Sequence, residues 1–258
     1  MNSPAIDQPL PAPDLAYIHR RRHLFNFLAR RYWRIETKGL EHLPAQGRAV
    51  LVGNHRGFQP WDAVMVLHII HGHTGRVPRF LVHPGLLKFP PIAKFIARLG
   101  GVLACRENAA RLLEADEFLG ILPEGVEGAF SLYRNAYKLG SFGRDDFVKL
   151  ALRHRAPIVP FVIVGSADAL PMFARIKSRW WTRHMQWPYI PISLPAPLPS
   201  KWHIEFLPPL RVHQSHPPEA AADRSVVTAI SLEVRGRMQQ AIDEILSRRR
   251  SIFRGSVF

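Results

Sequence analysis

Short apolar runs alternate with helical patterns along most of this chain. Strand-like runs fall at 48–52, 79–82, 101–105, 118–122, 158–164 and 202–207. Between them, apolar residues recurring at helical spacing predict helices over 61–71, 91–99, 108–116, 144–155 and 221–249. Strands that alternate with helices predict an α/β fold, with a mostly parallel central sheet flanked by helices and closed by a long C-terminal helix. No internal repeat and no second domain interrupts the rhythm. The expected division is an unstructured, proline-rich start over 1–15, one domain over 16–250 and a basic tail over 251–258.

Two stretches depart from the alternation. Over 16–35 the sequence AYIHRRRHLFNFLARRYWRI places Tyr17, Ile18, Leu24, Phe25, Leu28, Tyr32 and Ile35 on one side of a helix, with Arg20, Arg22, Arg30, Arg31 and Arg34 around the rest and Arg21 intruding on the apolar side. A basic amphipathic helix of this kind suits a membrane interface, and equally suits docking on the protein's own core. Residues 170–200 hold many prolines and the segment ARIKSRWWTRHMQW. Tryptophans among cations suit a membrane–water boundary, and a long surface loop with Trp180 and Trp181 folded back accounts for them as well.

Charge sharpens this picture. The 258 residues carry 35 Lys and Arg against 20 Asp and Glu, a formal charge of +15, so an anionic partner is expected. Nucleic acid is not favoured: there is no helix-turn-helix, zinc-finger or RNA-recognition signature, and the arginines sit with tryptophans and amphipathic spacing. The single Cys105 rules out an internal disulfide and reads as a small core residue on a strand. His68, His71, His73 and His83 have no cysteine near them and read as ordinary histidines, so no metal is expected. There is no signal-peptide pattern, no apolar stretch long enough to span a bilayer, and no glycine-rich nucleotide loop. Attachment is therefore expected to be peripheral, on the cytoplasmic face of a membrane.

Four stretches carry candidate chemistry. In GNHRGFQPWD, His55 follows a strand and Asp62 falls in the first turn of the next helix, with Gly57 able to return the chain between them. Catalytic groups in open α/β sheets gather at strand carboxyl ends, where a carboxylate can hold a histidine as general base. Spacing alone fits as well a loop histidine and an aspartate that caps its own helix. In LGGVLACREN, period-two alternation carries Arg106 to a strand end, where a guanidinium can bind phosphate or carboxylate. In LPEGVEGAFSLYRNAYKLGSFGR, a strand ends at Glu124 and Gly125 and a long loop carries Arg134, Lys138 and Arg144. Glu124 approaches His55 if their strands are neighbours. The fourth stretch, RAPIVPFVIVG, is a helix end, a turn and a buried strand.

Taken in order, Asn54-His55 with Asp62, the 100–106 segment, LPEG and APIVPFVIVG resemble the four blocks of the glycerolipid acyltransferase family, the lysophosphatidic acid acyltransferases and their relatives. The run from LPEGVEGAF onward is most similar to the bacterial monoacylglycerol- and diacylglycerol-acyltransferase-like branch. Each block is common alone; four in this order, over about 24–210, are specific. The resemblance implies a single acyltransferase domain on a membrane surface. It implies transfer of a fatty acyl chain from acyl-CoA or acyl carrier protein, as co-substrate, to a glycerolipid or lysophospholipid hydroxyl, with no cofactor. It implies His55 as base, Asp62 as its orienting partner, and Arg106, Glu124, Gly125, Arg134 and Lys138 at the substrate. Two features depart from the family pattern. The spacing is H-x6-D where H-x4-D is common, and Glu127 stands where an acceptor-phosphate arginine is frequent. The second departure favours a neutral acceptor over lysophosphatidate. A non-catalytic lipid-binding relative of the same fold is the alternative, and His55 separates the two.

Overall fold

The alternation within AVLV sets the centre of the fold. In the computed structural model, Val50 and Val52 join one cluster of buried side chains, and Ala49 and Leu51 join another. The strand that carries them is therefore covered on both faces. The structure describes residues 10–143, 145–249 and 251–253.

The first half of the chain runs α1 (Leu15–Phe27), a π turn (Leu28–Tyr32), β1 (Glu36–Lys38), β2 (Ala49–Gly53), α2 (Trp61–Thr74), β3 (Arg79–Val82), α3 (Pro84–Leu87), α4 (Pro90–Arg98), β4 (Val102–Leu103), α5 (Arg106–Glu114) and β5 (Phe118–Ile121). The second half runs α6 (Gly125–Ala129), α7 (Asp146–Arg153), β6 (Ile158–Val164), α8 (Ser166–Ala169), β7 (Met172–Lys177), α9 (Arg179–Met185), β8 (Tyr189–Ser193), β9 (His203–Phe206), α10 (Val212–Ser215) and α11 (Arg224–Arg248). Seven strands form one sheet in the order β1-β9-β6-β2-β5-β3-β4. Pairing is parallel from β6 through β4, and β9 joins β6 antiparallel. Helices α5, α7 and α11 pack on the Val50/Val52 face, and α1 and α2 on the Ala49/Leu51 face. The expected α/β fold with a mostly parallel, helix-flanked sheet is the observed one, and β2 lies at its middle.

Four expectations change. The unstructured start does not reach residue 15: the carbonyl of Pro11 accepts a bond from Arg79, the N–H of Asp14 donates to Arg98, and the Asp14 carboxylate caps α1 at the N–H of Tyr17. Residues 1–9 and 254–258 lie outside the described residues, as do Arg144 and Arg250. The amphipathic helix keeps regular geometry only to Phe27. Its π turn, closed by the N–H of Trp33 on the carbonyl of Leu28, brings Ala29 and Trp33 into the core. Trp33 then stacks on Trp202 at 4.5 Å. The predicted face is thus split: Tyr17, Ile18 and Phe25 are buried, and Leu24 is exposed. The strand expected over 101–105 is only two residues long, because the Cys105 sulfur caps α5 at the N–H of Asn108. Cys105 is therefore a partly exposed cap, and Arg106 opens a helix instead of ending a strand. Finally, the proline-rich 170–200 stretch contains an antiparallel hairpin, β7 with β8, joined through α9. Short β1 also went unpredicted.

Candidate active site

At the carboxyl end of β2 the backbone turns away, and the side chain of Asn54 takes over its pairing. Its Nδ2 donates to the carbonyl of Ile163 at 2.9 Å, and its Oδ1 accepts the Ile163 N–H at 2.7 Å. Both bonds are buried, so the turn is fixed to β6. His55 leaves the sheet from this point. Gly57 then bends the chain at φ +90°, a conformation costly for any residue with a Cβ, and Pro60 leads into α2.

The bend returns Asp62 to His55. Asp62 Oδ2 lies 3.0 Å from His55 Nδ1 and accepts the Arg56 N–H at 2.8 Å. Asp62 makes no cap bond to its own helix and is almost fully buried. The six-residue spacing therefore brings the two side chains together, and the helix-cap alternative falls away. A carboxylate acceptor at Nδ1 puts the ring proton there and leaves Nε2 to accept one.

His55 lines a cavity of about 270 Å³ whose walls are otherwise almost wholly apolar, including Phe58, Leu67, Phe80, Ile96, Phe130 and Trp187. Among the described residues no lysine or arginine lines it. Another imidazole in its wall is His83, whose Nδ1 accepts the Gly85 N–H at 3.1 Å and whose pKa is pushed down by burial. Among the described residues no three of His, Cys, Asp or Glu gather as a metal site.

The other predicted residues divide. Strands β2 and β5 are neighbours, as the approach of Glu124 to His55 requires, but the Glu124 carboxylate is engaged internally. It accepts from Arg56 Nη1 at 2.8 Å and from the Gly140 N–H at 2.8 Å, which leaves it bracing the site instead of facing substrate. Gly125 lines the cavity. Lys138 reaches the site through its carbonyl, which Arg56 holds at 2.9 Å, while its side chain and that of Arg134 are exposed on the loop. Arg106 is not brought to His55: it pairs with Asp146 at 3.0 Å and lines a separate polar depression. Glu127 pairs with Arg175 of the hairpin at 3.0 Å and accepts from Tyr189 at 3.0 Å, so its charge is offset. That weakens the repulsion expected toward a phosphate.

Sequence reasoning missed Arg56. Its guanidinium is buried and binds Glu124 and the carbonyls of His55, Ala136 and Lys138, tying the long loop to the base. A charged residue locked between His55 and Gly57 at a strand end needs a buried partner, and Glu124 was the candidate at hand. Asp168 was missed as well. It accepts from Tyr133 at 2.8 Å, from Tyr137 at 2.6 Å and from Arg249. Burial and the Asp168 charge push Tyr133 up to about 12 and raise Tyr137 further, so both remain hydroxyl donors.

The sequence profile of the acyltransferase family matches residues 34–164, just over half of the chain. The chain belongs to the acyltransferase family. The matched span includes His55, Asp62, Glu124 and all of β2 through β6, so the site lies within the family's shared region. An uncharacterized protein of Mycobacterium leprae is 35% identical over 91% of this chain, which spans 66% of that relative; one of Mycobacterium tuberculosis is 34% identical, with 68% of it spanned. Phytyl ester synthase 2 of Arabidopsis thaliana chloroplasts is 31% identical over 51% of this chain and 20% of its own length. The crystal structure of the 1-acyl-sn-glycerophosphate acyltransferase PlsC of Thermotoga maritima shares the acyltransferase fold, with a TM-score of 0.59, 19% identity, and coverage of 90% of this chain and 82% of that one.

Proposed function

We propose that this protein is a peripheral membrane O-acyltransferase of the monoacylglycerol- and diacylglycerol-acyltransferase-like branch. It moves a fatty acyl chain from acyl-CoA or acyl carrier protein to a glycerolipid or lysophospholipid hydroxyl. The observation that carries this reading is the His55–Asp62 pair at the wall of an apolar cavity. The cavity takes the acyl chain. His55 Nε2 accepts the hydroxyl proton as the oxygen attacks the thioester carbonyl, and Asp62 stabilises the imidazolium that forms. The tetrahedral intermediate then collapses, the C–S bond breaks, and the proton passes from His55 to the leaving thiolate. An ester and a free thiol result.

The acceptor is read as neutral. Among the described residues the cavity wall holds no lysine or arginine to fix a phosphate. Peripheral attachment to the cytoplasmic face is supported by the charge of +15, and no helix among the described residues is long and apolar enough to cross a membrane. The test is acyl transfer by the purified protein from labelled palmitoyl thioesters to monoacylglycerol, diacylglycerol, lysophosphatidate and lysophospholipids, beside His55→Ala. A His55-dependent product with a neutral acceptor is the expected result. Lysophosphatidate as sole acceptor overturns the choice of acceptor, and transfer undiminished in His55→Ala overturns the mechanism.

A further inference from the structure

Between β6 and β9 the chain leaves the sheet, and β7 and β8 pair only with each other. Their register sorts the side chains. Arg175 and Lys177 lie opposite Pro191 and Tyr189, and both cations stand over the Tyr189 ring. Ala174 and Ile176 lie opposite Ile192 and Ile190, on the other face. Inward, the hairpin is part of the site. Met172, Trp187 and Tyr189 pack with Ala129 and Phe130, and Trp187 and Phe130 also line the cavity beside His55.

Outward, the same hairpin is apolar and no described residue covers it. Ile176 is 52% exposed, Ile192 42%, Phe173 at the bulge 60%, and Trp180 66%. Arg179 and Arg183, which share α9 with Trp180, are exposed. From 170 to 200 there is not one aspartate or glutamate. We propose that this outer face seats the protein on an anionic phospholipid bilayer. Phe173, Ile176, Trp180 and Ile192 enter the interface, and Arg179 and Arg183 lie at headgroup depth. The proposal deepens the acyl-transfer reading and rests on it: a lipid chain leaving the bilayer passes beneath one hairpin to reach His55 without crossing bulk water. A second copy of the chain is a poor occupant. A two-fold contact brings Arg179 and Arg183 near their own copies, with no acidic residue on the patch to pair them. The basic helix α1 is a lesser anchor, since Tyr17, Ile18 and Phe25 are already buried in the core.

The test is co-sedimentation of the full chain with phosphatidylglycerol–phosphatidylcholine vesicles and with pure phosphatidylcholine vesicles. The wild type is compared with an Ile176→Ser/Trp180→Ser/Ile192→Ser variant and a Leu24→Ser/Phe27→Ser control in α1. All replaced side chains are at least partly solvent-exposed and none lines the cavity, and unchanged thermal midpoints establish folding. The wild type is expected to bind the anionic vesicles and to be released by salt. The hairpin variant loses about tenfold or more in partitioning, and the control about threefold or less. Equal binding by wild type and hairpin variant, equal loss in the control, or no vesicle binding by the wild type overturns the proposal. So does a wild-type dimer that the hairpin variant turns into a monomer. Transfer from a short-chain thioester to detergent-dispersed monoacylglycerol separates the two readings. Hairpin-dependent binding in a protein that transfers nothing leaves the docking face standing and removes the enzyme reading.

Discussion

Replacing His55 and replacing Asp62 remove different things. His55→Ala deletes the base, and general acid–base assistance is worth about 10²–10⁴-fold, so kcat for acyl transfer is expected to fall by a factor in that range. Asp62→Asn keeps an oxygen for the Arg56 N–H but loses the charge that stabilises the imidazolium. Its kcat is expected to fall by about 10²-fold with KM little changed, because the interaction is made only as His55 becomes charged. Steady-state kinetics on one acceptor reads both, and a rise in KM with kcat intact in either variant contradicts the roles. Arg56 and Glu124 make a different case. Their side chains are 2% and 3% exposed and 2.8 Å apart. Leaving one buried charge without the other costs about 3–5 kcal/mol, so Arg56→Met and Glu124→Gln each lower the thermal midpoint sharply. The double variant is expected to be less destabilised than the sum of the two, since no buried charge is left unpaired.

At the scale of elements, a glycine allows the segment leading into β8 to sit directly against the body. A Cβ on Gly85 falls 2.4 Å from the Trp187 ring, so α3 and the hairpin approach as closely as backbone and indole allow. Gly85→Ala is expected to push Trp187 off its seat at a cost of about 1–3 kcal/mol. Trp187 is cavity wall, so KM for long-chain thioesters should rise while short-chain turnover holds. Equal effects on a two-carbon and a sixteen-carbon donor count against this. The same hairpin marks where reading the sequence stopped short. Buried strands such as 158–164 and 79–82 were legible because both faces are covered and the runs are bounded by turns. Strands β7 and β8 were not: they are solvated on one face, interrupted by Pro191 and shifted in register by a bulge. The π turn in the first helix was equally invisible, because a uniform period cannot register one extra residue. In the site, their places after a strand and in the next helix's first turn made His55 and Asp62 candidates, and only the resemblance to the acyltransferase family gave them roles. Arg106 was misplaced because alternation through Ala104 looks the same whether the strand continues or Cys105 caps a helix. Arg56 was overlooked because its partners come from residues 124–138, which only the β2–β5 pairing brings beside it.

Over the whole molecule, charge and burial act together on pH dependence. The chain is already at +15 with its 13 histidines neutral, so acidification adds positive charge to a surface rich in it. His68, His83, His154, His203 and His213 have pKa values lowered from an ordinary 6.5, each chiefly by desolvation. In His203 the nearby Glu36 opposes the shift without cancelling it. A histidine whose folded pKa is depressed binds its proton more readily in the unfolded chain. Between the lowered values and 6.5 the unfolded state therefore holds more protons, and stability rises with pH across that window. The contribution is complete above the unfolded value and is lost as pH falls through the folded ones. Calorimetric midpoints at fixed ionic strength should hold steady from pH 8 to about 7 and then decline toward pH 5, before most carboxylates titrate. Substituting His68, which packs on Phe25 and bonds Asn26, by a neutral asparagine removes one such group and should flatten the decline. A midpoint that rises on acidification reverses the sign, and would mean that carboxylate partners such as Glu36 govern these histidines more than burial does.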